Sequence, residues 1–312
     1  MTAGESVDAP FASAGISSIP DSNHIDKLPT DPSDIVGPSP NMVVRPLMAG
    51  ERIVIVDAKR RRYLVTLSED GEFHTHAGFF GHRELIGREE GTTVVSSGGA
   101  KYSAIRPTLA EFVLKMPRGA QVIYPKDLGA ILVMADIFPG ARVLESGVGS
   151  GALSMTLLRA GASVVGYELR EEFAAGALRN VASWVDADAN ARYRVEVRDC
   201  YAGIDERGLD RVVLDLPEPW HVVAHATLAL RTGGILLAYL PTITQAAELR
   251  RVLADHGFRL AETLEVLHRS WHIEGMSVRP EHRMVAHTGF LTAARYLPDS
   301  VAPLSNAEFR GK

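Results

Sequence analysis

The chain has 312 residues, 46% hydrophobic and 23% charged, with 28 glycines, 17 prolines and one cysteine. That length predicts about two domains with a substantial core, and the composition excludes collagen, a coiled coil and wholesale disorder. Lys+Arg 33 against Asp+Glu 38 leaves a net charge of −5, so any contact with nucleic acid must rest on local basic patches.

Cys200 stands alone and can form no intrachain disulfide, which fits a reducing compartment. The chain shows no run of about 18 apolar residues, and its N-terminus lacks the basic and apolar regions of a signal peptide. The expectation is a cytoplasmic protein with no membrane span.

Residues 1–41 are rich in Ser, Pro, Asp and Gly without an apolar period, and are expected to be a disordered tail. Residues 42–106 carry short strand-like runs at Arg52–Asp57, Arg62–Leu67, Glu72–His76 and Thr92–Ser96, the pattern of a small sandwich or barrel-like domain. Glu69-Asp-Gly71 predicts a hairpin turn. Pro107 is expected to open a helix over 108–116, and a second helix over 127–138 stops at Pro139-Gly140. From Ala141 strands and helices alternate. Strands are predicted at 142–145, 163–168, 193–197, 211–215 and 234–240, with helices at 151–160, 171–185, 221–230 and 243–256. Two final strands, 260–267 and 284–296, lack a helix between them and predict an antiparallel edge hairpin. The fold class is α/β, with a mostly parallel sheet covered on both faces across 107–298 and a C-terminal tail at 299–312.

In open α/β sheets, ligands bind beyond the carboxyl ends of the strands at the point where strand order reverses. Here those ends carry Glu145, Glu168, Asp199 and Asp215. The segment Glu145-Ser-Gly-Val-Gly-Ser-Gly151 links the first strand to its helix, so Gly147, Val148, Gly149, Ser150, Gly151, Ala152 and Leu153 form a candidate ligand loop and helix start. Gly147, Gly149 and Ala152 also satisfy a relaxed dinucleotide fingerprint. Glu145 ahead of the loop repels pyrophosphate and suits the cationic amino-acid end of S-adenosylmethionine. Glu168 is placed to accept hydrogen bonds from ribose hydroxyls and Asp199 to receive an adenine amino group, with Cys200 beside it in the adenine pocket. Both ligands remain open at this point, with the acids favouring the sulfonium nucleoside.

Several segments together resemble one family. They are Arg118-Gly-Ala-Gln-Val-Ile-Tyr-Pro-Lys-Asp127, Val143-Leu-Glu-Ser-Gly-Val-Gly-Ser-Gly-Ala-Leu153, Tyr167-Glu-Leu-Arg170, Asp215-Leu-Pro-Glu-Pro-Trp220, Tyr239-Leu-Pro-Thr242 and Arg279-Pro-Glu-His-Arg-Met-Val-Ala-His-Thr-Gly-Phe-Leu291. The chain from about Val43 to Tyr296 is similar to the bacterial, especially actinobacterial, tRNA adenine-58 N1-methyltransferases. The resemblance implies a class I, Rossmann-like methyltransferase domain behind a small β domain, S-adenosylmethionine as cofactor, tRNA as partner and a homotetramer. It also implies Asp215 as the active-site aspartate, Tyr124 near the target base, Glu168 and Asp199 as cofactor-binding acids, and Phe173 as a further cofactor contact. The sequence departs from the usual pattern in Glu-Ser-Gly-Val at the loop, in a short stretch at Arg159–Ser163, and in Pro217 and Glu218.

N1 of neutral adenine carries an in-plane lone pair and can attack a methyl sulfonium without first losing a proton. What the protein must supply is alignment and a carboxylate near the developing positive charge, roles that fit Asp215. Phosphate contacts are expected from Arg52, Lys59, Arg60, Arg61, Arg62 and Arg106. His74 and His76 share a strand face, but no third ligand stands near, and no metal is expected. Two other readings are a small-molecule methyltransferase and a catalytically silent tRNA-binding subunit. The basic run counts against the first, and the retained acids and glycine loop against the second.

Overall fold

The computed structural model describes residues 45–119 and 121–298. The tails expected at 1–41 and 299–312 lie outside the described residues.

The N-terminal part is antiparallel. Strands β1 (Arg52–Asp57), β2 (Arg62–Thr66), β5 (Thr93–Val95) and β6 (Lys101–Ile105) form one sheet in the order β2-β1-β6-β5, and β3 (Glu72–Thr75) pairs with β4 (Gly78–Gly81) in a separate hairpin. Both pieces close on one core that includes Ile53, Ile55, Phe73, Phe80 and Tyr102. The ring of Phe73 meets Tyr102 edge-on at 5.7 Å, a favoured aromatic geometry. Glu69–Gly71 is a turn, as its sequence predicts, but not a hairpin turn: β2 pairs with β1, and β3 leaves for β4. Hydrophobic alternation places a strand's face but does not choose its partner.

Thr108 caps helix α1 (Leu109–Lys115) in a capping box, its hydroxyl accepting from the Glu111 amide at 3.2 Å while the Glu111 carboxylate accepts from the Thr108 amide at 2.9 Å. Pro107 therefore stands ahead of the cap rather than inside the first turn. Helix α2 (Pro125–Met134) begins two residues earlier than expected, with Tyr124 at its N-cap and Pro125 at the first helical position, where a missing N–H costs nothing. Across α1 the small domain is fastened by the Arg62–Glu111 ion pair at 3.0 Å and by the Arg52 guanidinium over the Phe112 ring.

The larger sheet has seven strands in the order β12-β15-β11-β10-β7-β8-β9. They are β7 (Arg142–Ser146), β8 (Ser163–Glu168), β9 (Tyr193–Val197), β10 (Leu209–Leu214), β11 (Leu230–Leu240), β12 (Phe258–Glu265) and β15 (Phe290–Tyr296). The five strands from β9 to β11 run parallel, whereas β15 is antiparallel to both neighbours, β11 and β12, so β12 and β15 make the antiparallel pair expected at the sheet edge, with β12 outermost. Strand β15 also starts at Phe290, six residues later than expected.

Side chains of successive residues go to opposite faces, as strand geometry requires. Val143, Val213 and Leu237 join the layer containing α1, α2 and α3 (Ala152–Arg159), while Leu144, Val212 and Leu236 join the layer containing α6 (Val223–Ala229) and α7 (Ile243–Asp255). Burying a side chain such as Leu144 contributes about 2 kcal/mol. Helix α4 (Glu171–Ala182) and the short α5 (Ala187–Asn190) complete the repeat. A second hairpin, β13 (Trp271–Glu274) with β14 (Ser277–Pro280), interrupts the connection from β12 to β15. It carries no apolar alternation toward a core, so pattern reading misses it.

Candidate active site

Strand order reverses between β7 and β10, which pair directly, with Val213 opposite Glu145 and Leu214 opposite Ser146. The loops leaving these two strands therefore share one crevice. They touch at Gly147, where φ is +83° and an added Cβ would lie 2.1 Å from the Asp215 carbonyl oxygen. No residue with a side chain fits there, so a glycine is needed for Asp215 to stand beside the loop.

Three carboxyl groups converge on this crevice. Glu145 is fully buried beneath the loop; its Oε2 accepts from the Ser154 hydroxyl at 2.6 Å, Ser154 in turn accepts from Tyr193, and its Oε1 has no partner among the described residues. Glu168, also buried, accepts from the Gly149 amide at 2.9 Å through Oε2 and from the Arg170 amide through Oε1. The half-buried Asp215 carboxylate accepts no hydrogen bond among the described residues. Burial pushes the Glu145 carboxyl up to about 8, with the Asp215 and Glu168 charges adding to it against the pull of Ser154. Burial and the Glu168 charge push Asp215 up to about 7. Like charges held together out of water disfavour one another's ionisation, and a cation between them reverses the effect.

The remaining predicted residues divide by position. Val148, Ser150, Ala152 and Leu153 are buried, and the side chains of Ala152 and Leu153 pack in the core, which leaves the backbone of the α3 start as what these two residues can offer a ligand. Phe173 in the first turn of α4 lies under the Arg170 guanidinium at 3.5 Å and beside Gly119. Asp199 is exposed and accepts from the Tyr201 amide at 2.8 Å. Burial pushes the adjacent Cys200 thiol up to about 11, so it behaves as a small apolar group. Tyr124, half-buried, stands at the α2 N-cap. Sequence reasoning overlooked Asn180, whose buried amide donates to the carbonyls of Ser150 and Pro117 and ties the glycine loop to the segment before Tyr124. An asparagine inside an apolar helix face was the available signal.

The basic residues are not one patch. Arg52 is turned onto Phe112, and burial lowers its pKa. Arg106 pairs with Glu51 and Glu90, Arg61 with Asp57, and Arg62 with Glu111. Lys59 and Arg60 stand exposed at the β1–β2 turn. Among the described residues, no group of three or more His, Cys, Asp or Glu is arranged to hold a metal, and no helix is long and apolar enough to cross a membrane.

Two family models match: the tRNA methyltransferase complex GCD14 subunit over residues 102–279 and the TrmI-like N-terminal domain over residues 46–94. A tRNA (adenine(58)-N(1))-methyltransferase TrmI from Thermus thermophilus is 41% identical over 246 residues, spanning 78% of this chain and 96% of that one. The chain belongs to the GCD14/TrmI methyltransferase family. A Methanocaldococcus jannaschii member, a tRNA (adenine(57)-N(1)/adenine(58)-N(1))-methyltransferase, is 32% identical over 281 residues, or 82% of this chain and 97% of its own length. Among solved structures, a SAM-dependent O-methyltransferase from Thermotoga maritima superposes with a TM-score of 0.77 at 33% identity, covering 82% of this chain and 96% of that one. The tRNA (m1A58) methyltransferase TrmI of Aquifex aeolicus does so at 0.72 and 29%, covering 81% and 99%. The mostly parallel α/β sheet expected from the alternating pattern, and the class I methyltransferase fold and N-terminal domain that the resemblance implies, are all present.

The crevice fits S-adenosylmethionine and not a pyrophosphate. It offers an unpartnered buried carboxyl oxygen on Glu145, two further carboxyl groups and a loop closed against Asp215, an arrangement that attracts a sulfonium and an ammonium and repels a dianion.

Proposed function

We propose that this protein methylates N1 of adenine 58 in the T-loop of tRNA, using S-adenosylmethionine, and that Asp215 and Tyr124 handle the base. The observation that carries this reading is the meeting of Glu145, Glu168 and Asp215 on a glycine loop with no cationic side chain bonded to any of them among the described residues. S-adenosylmethionine supplies an electrophilic methyl group on a cationic sulfur. Glu168 and Asp199 hold its nucleoside end, the glycine loop and the amides at the α3 start hold its carboxylate, and Phe173 flanks it.

Asp215 accepts a hydrogen bond from the adenine amino group, which turns N1 toward the methyl. Its negative charge then favours the cationic 1-methyladenine. No base is needed to activate N1, so Asp215 acts by orientation and charge. Burial and the Glu168 charge hold this carboxyl near 7, and a cation beside it favours the ionised form. Tyr124 offers a ring on which an extruded base stacks. The exposed Lys59 and Arg60 are the candidates for phosphate contact.

Self-association into a homotetramer belongs to the same reading. Its support is the apolar surface of the β13–β14 hairpin, where Trp271 is 57% exposed, Ile273 72% and Met276 100%, more than a solitary soluble surface normally leaves bare. The work is assigned to the cytoplasm, alongside the tRNA.

The test is transfer of labelled methyl to an unmodified tRNA transcript, with the product nucleoside identified and a transcript lacking adenine 58 as control. Expected is 1-methyladenine in the first and none in the second. Label in another nucleoside, or equal label in the control, overturns the assignment.

A further inference from the structure

The Tyr-Pro-Lys-Asp segment at the start of α2 and the His-Thr-Gly segment before β15 lie 161 residues apart in sequence yet are joined by a closed ring of polar contacts. Lys126 Nζ donates to Asp127 Oδ1 at 2.8 Å and to Thr288 Oγ1 at 2.6 Å, and the Thr288 hydroxyl donates to Asp127 Oδ2 at 2.6 Å. The two charged side chains are 5% and 0% exposed. Thr288 thus uses its hydroxyl in both senses, as acceptor from the ammonium and donor to the carboxylate. Its carbonyl accepts from the Tyr239 hydroxyl at 2.6 Å. The next residue, Gly289, lies flat beneath that ring, and a Cβ there would meet Tyr239 Cζ at 2.5 Å. On the other side of the ring of contacts, His287 presents Nδ1 to Glu265 at 2.7 Å and Nε2 to the Pro241 carbonyl at 2.9 Å. Both ring nitrogens face acceptors, and the bonds to Glu265 and to the Pro241 carbonyl raise the His287 pKa.

This brace sits at the reacting end of the fold. Asp127 donates its amide to the Tyr124 carbonyl at 2.9 Å, which fixes the N-cap. The Tyr239 hydroxyl is within electrostatic reach of Asp127, Asp215 and Tyr124 together. Stability alone is served as well by apolar packing as by a buried ion pair. A satisfied directional network instead selects one arrangement of the segments it joins.

We propose that Thr288 and Gly289 are positioning residues for methyl transfer: the strap they form sets the first turn of α2, and with it Tyr124, against Tyr239 on the acceptor side of Asp215. The inference rests on the reading that the target base binds beside Tyr124 and Asp215.

The experiment measures kcat, KM for unmodified tRNA and calorimetric cofactor affinity in Thr288→Val, Thr288→Ser and Gly289→Ala, with Asp215→Ala in the same series. Valine keeps the shape and loses both hydrogen bonds, so kcat is expected to fall at least tenfold with cofactor affinity within twofold of wild type. Serine restores kcat to within threefold. Gly289→Ala lowers kcat like the valine variant, because the new methyl group displaces the Tyr239 ring. Wild-type kcat in a folded Thr288→Val or Gly289→Ala protein overturns the proposal. So does a serine variant as poor as the valine one, or a loss of cofactor affinity in step with kcat. If Thr288→Val does not fold, Gly289→Ala decides alone. Full activity in Asp215→Ala sinks the site reading by itself, whatever the strap variants do.

Discussion

Two buried acid clusters lie in the same half of the molecule and are built oppositely. Asp127 is completely enclosed but answered on both oxygens, by Lys126 and Thr288. Glu145, just as enclosed, has one oxygen answered by Ser154 and one by nothing among the described residues, and the Asp215 and Glu168 charges act on it unfavourably. The first cluster is complete as folded. The second has no counter-charge of its own among the described residues, and burial then favours the protonated form of groups that would otherwise ionise. Internal satisfaction separates the two carboxylates, and on the proposed reading the unsatisfied one faces the cofactor.

The largest effect expected from that contrast is on turnover. On the proposed reading, Asp215→Ala removes the charge that faces the developing cation and should lower kcat by about a thousandfold, on the order of 4 kcal/mol in the barrier, while cofactor affinity changes by only a few fold. Calorimetry and single-turnover methylation check the two halves separately. An Asp215→Ala protein with unchanged kcat would erase the functional side of the comparison.

Next in size is a pair of stabilities in the ligand-free protein. Asp127→Ala leaves the Lys126 ammonium buried without its counter-charge and is expected to cost about 3 kcal/mol. Glu145→Gln removes an acid that is already disfavoured in its charged form, and should be neutral or stabilising. Urea titration of both variants at pH 7.5 decides it, and equal losses would dissolve the distinction.

The smallest effect is a pH slope. An unfolded carboxyl gives up its proton near pH 4, whereas Asp215 and Glu145 keep theirs to about 7 and about 8 when folded. Between those limits the folded state binds more protons, so these two groups lower stability as pH rises from about 5 to 8. Relative to wild type, Asp215→Asn should gain about 2–3 kcal/mol across that window. Cofactor affinity should move the other way, tightening as pH rises, because a cation is best held by ionised carboxylates. Thermal melts and calorimetry at pH 5.5, 6.5, 7.5 and 8.5 test both signs, and parallel wild-type and variant curves would show that Asp215 is not the perturbed group.

Much of this was legible from local pattern. The strands 163–168 and 193–197 fall where alternation and turn residues place them, and the glycine loop and the acids ending β7, β8 and β10 mark the crevice. What failed was whatever depended on a partner far away in the chain. Arg52 and Arg106 look like phosphate ligands in sequence and are engaged by Phe112, Glu51 and Glu90 in space. The order within the closing antiparallel pair, with β15 beside β11 and β12 outermost, is likewise settled only by pairing across the sheet. Lys126, Asp127 and Thr288 belong to two motifs that nothing local connects.

By itself, the sequence determined where the chain could turn tightly, which residues alternate between two faces, and which strands end in acid, since these follow from the conformational and chemical preferences of neighbouring residues. Only the tertiary structure decided which acids meet a cation and which do not. Charge balance in a buried site depends on what the fold carries to within a few ångströms, and the Lys126–Asp127–Thr288 ring and the unanswered Glu145 oxygen are both products of that long-range placement.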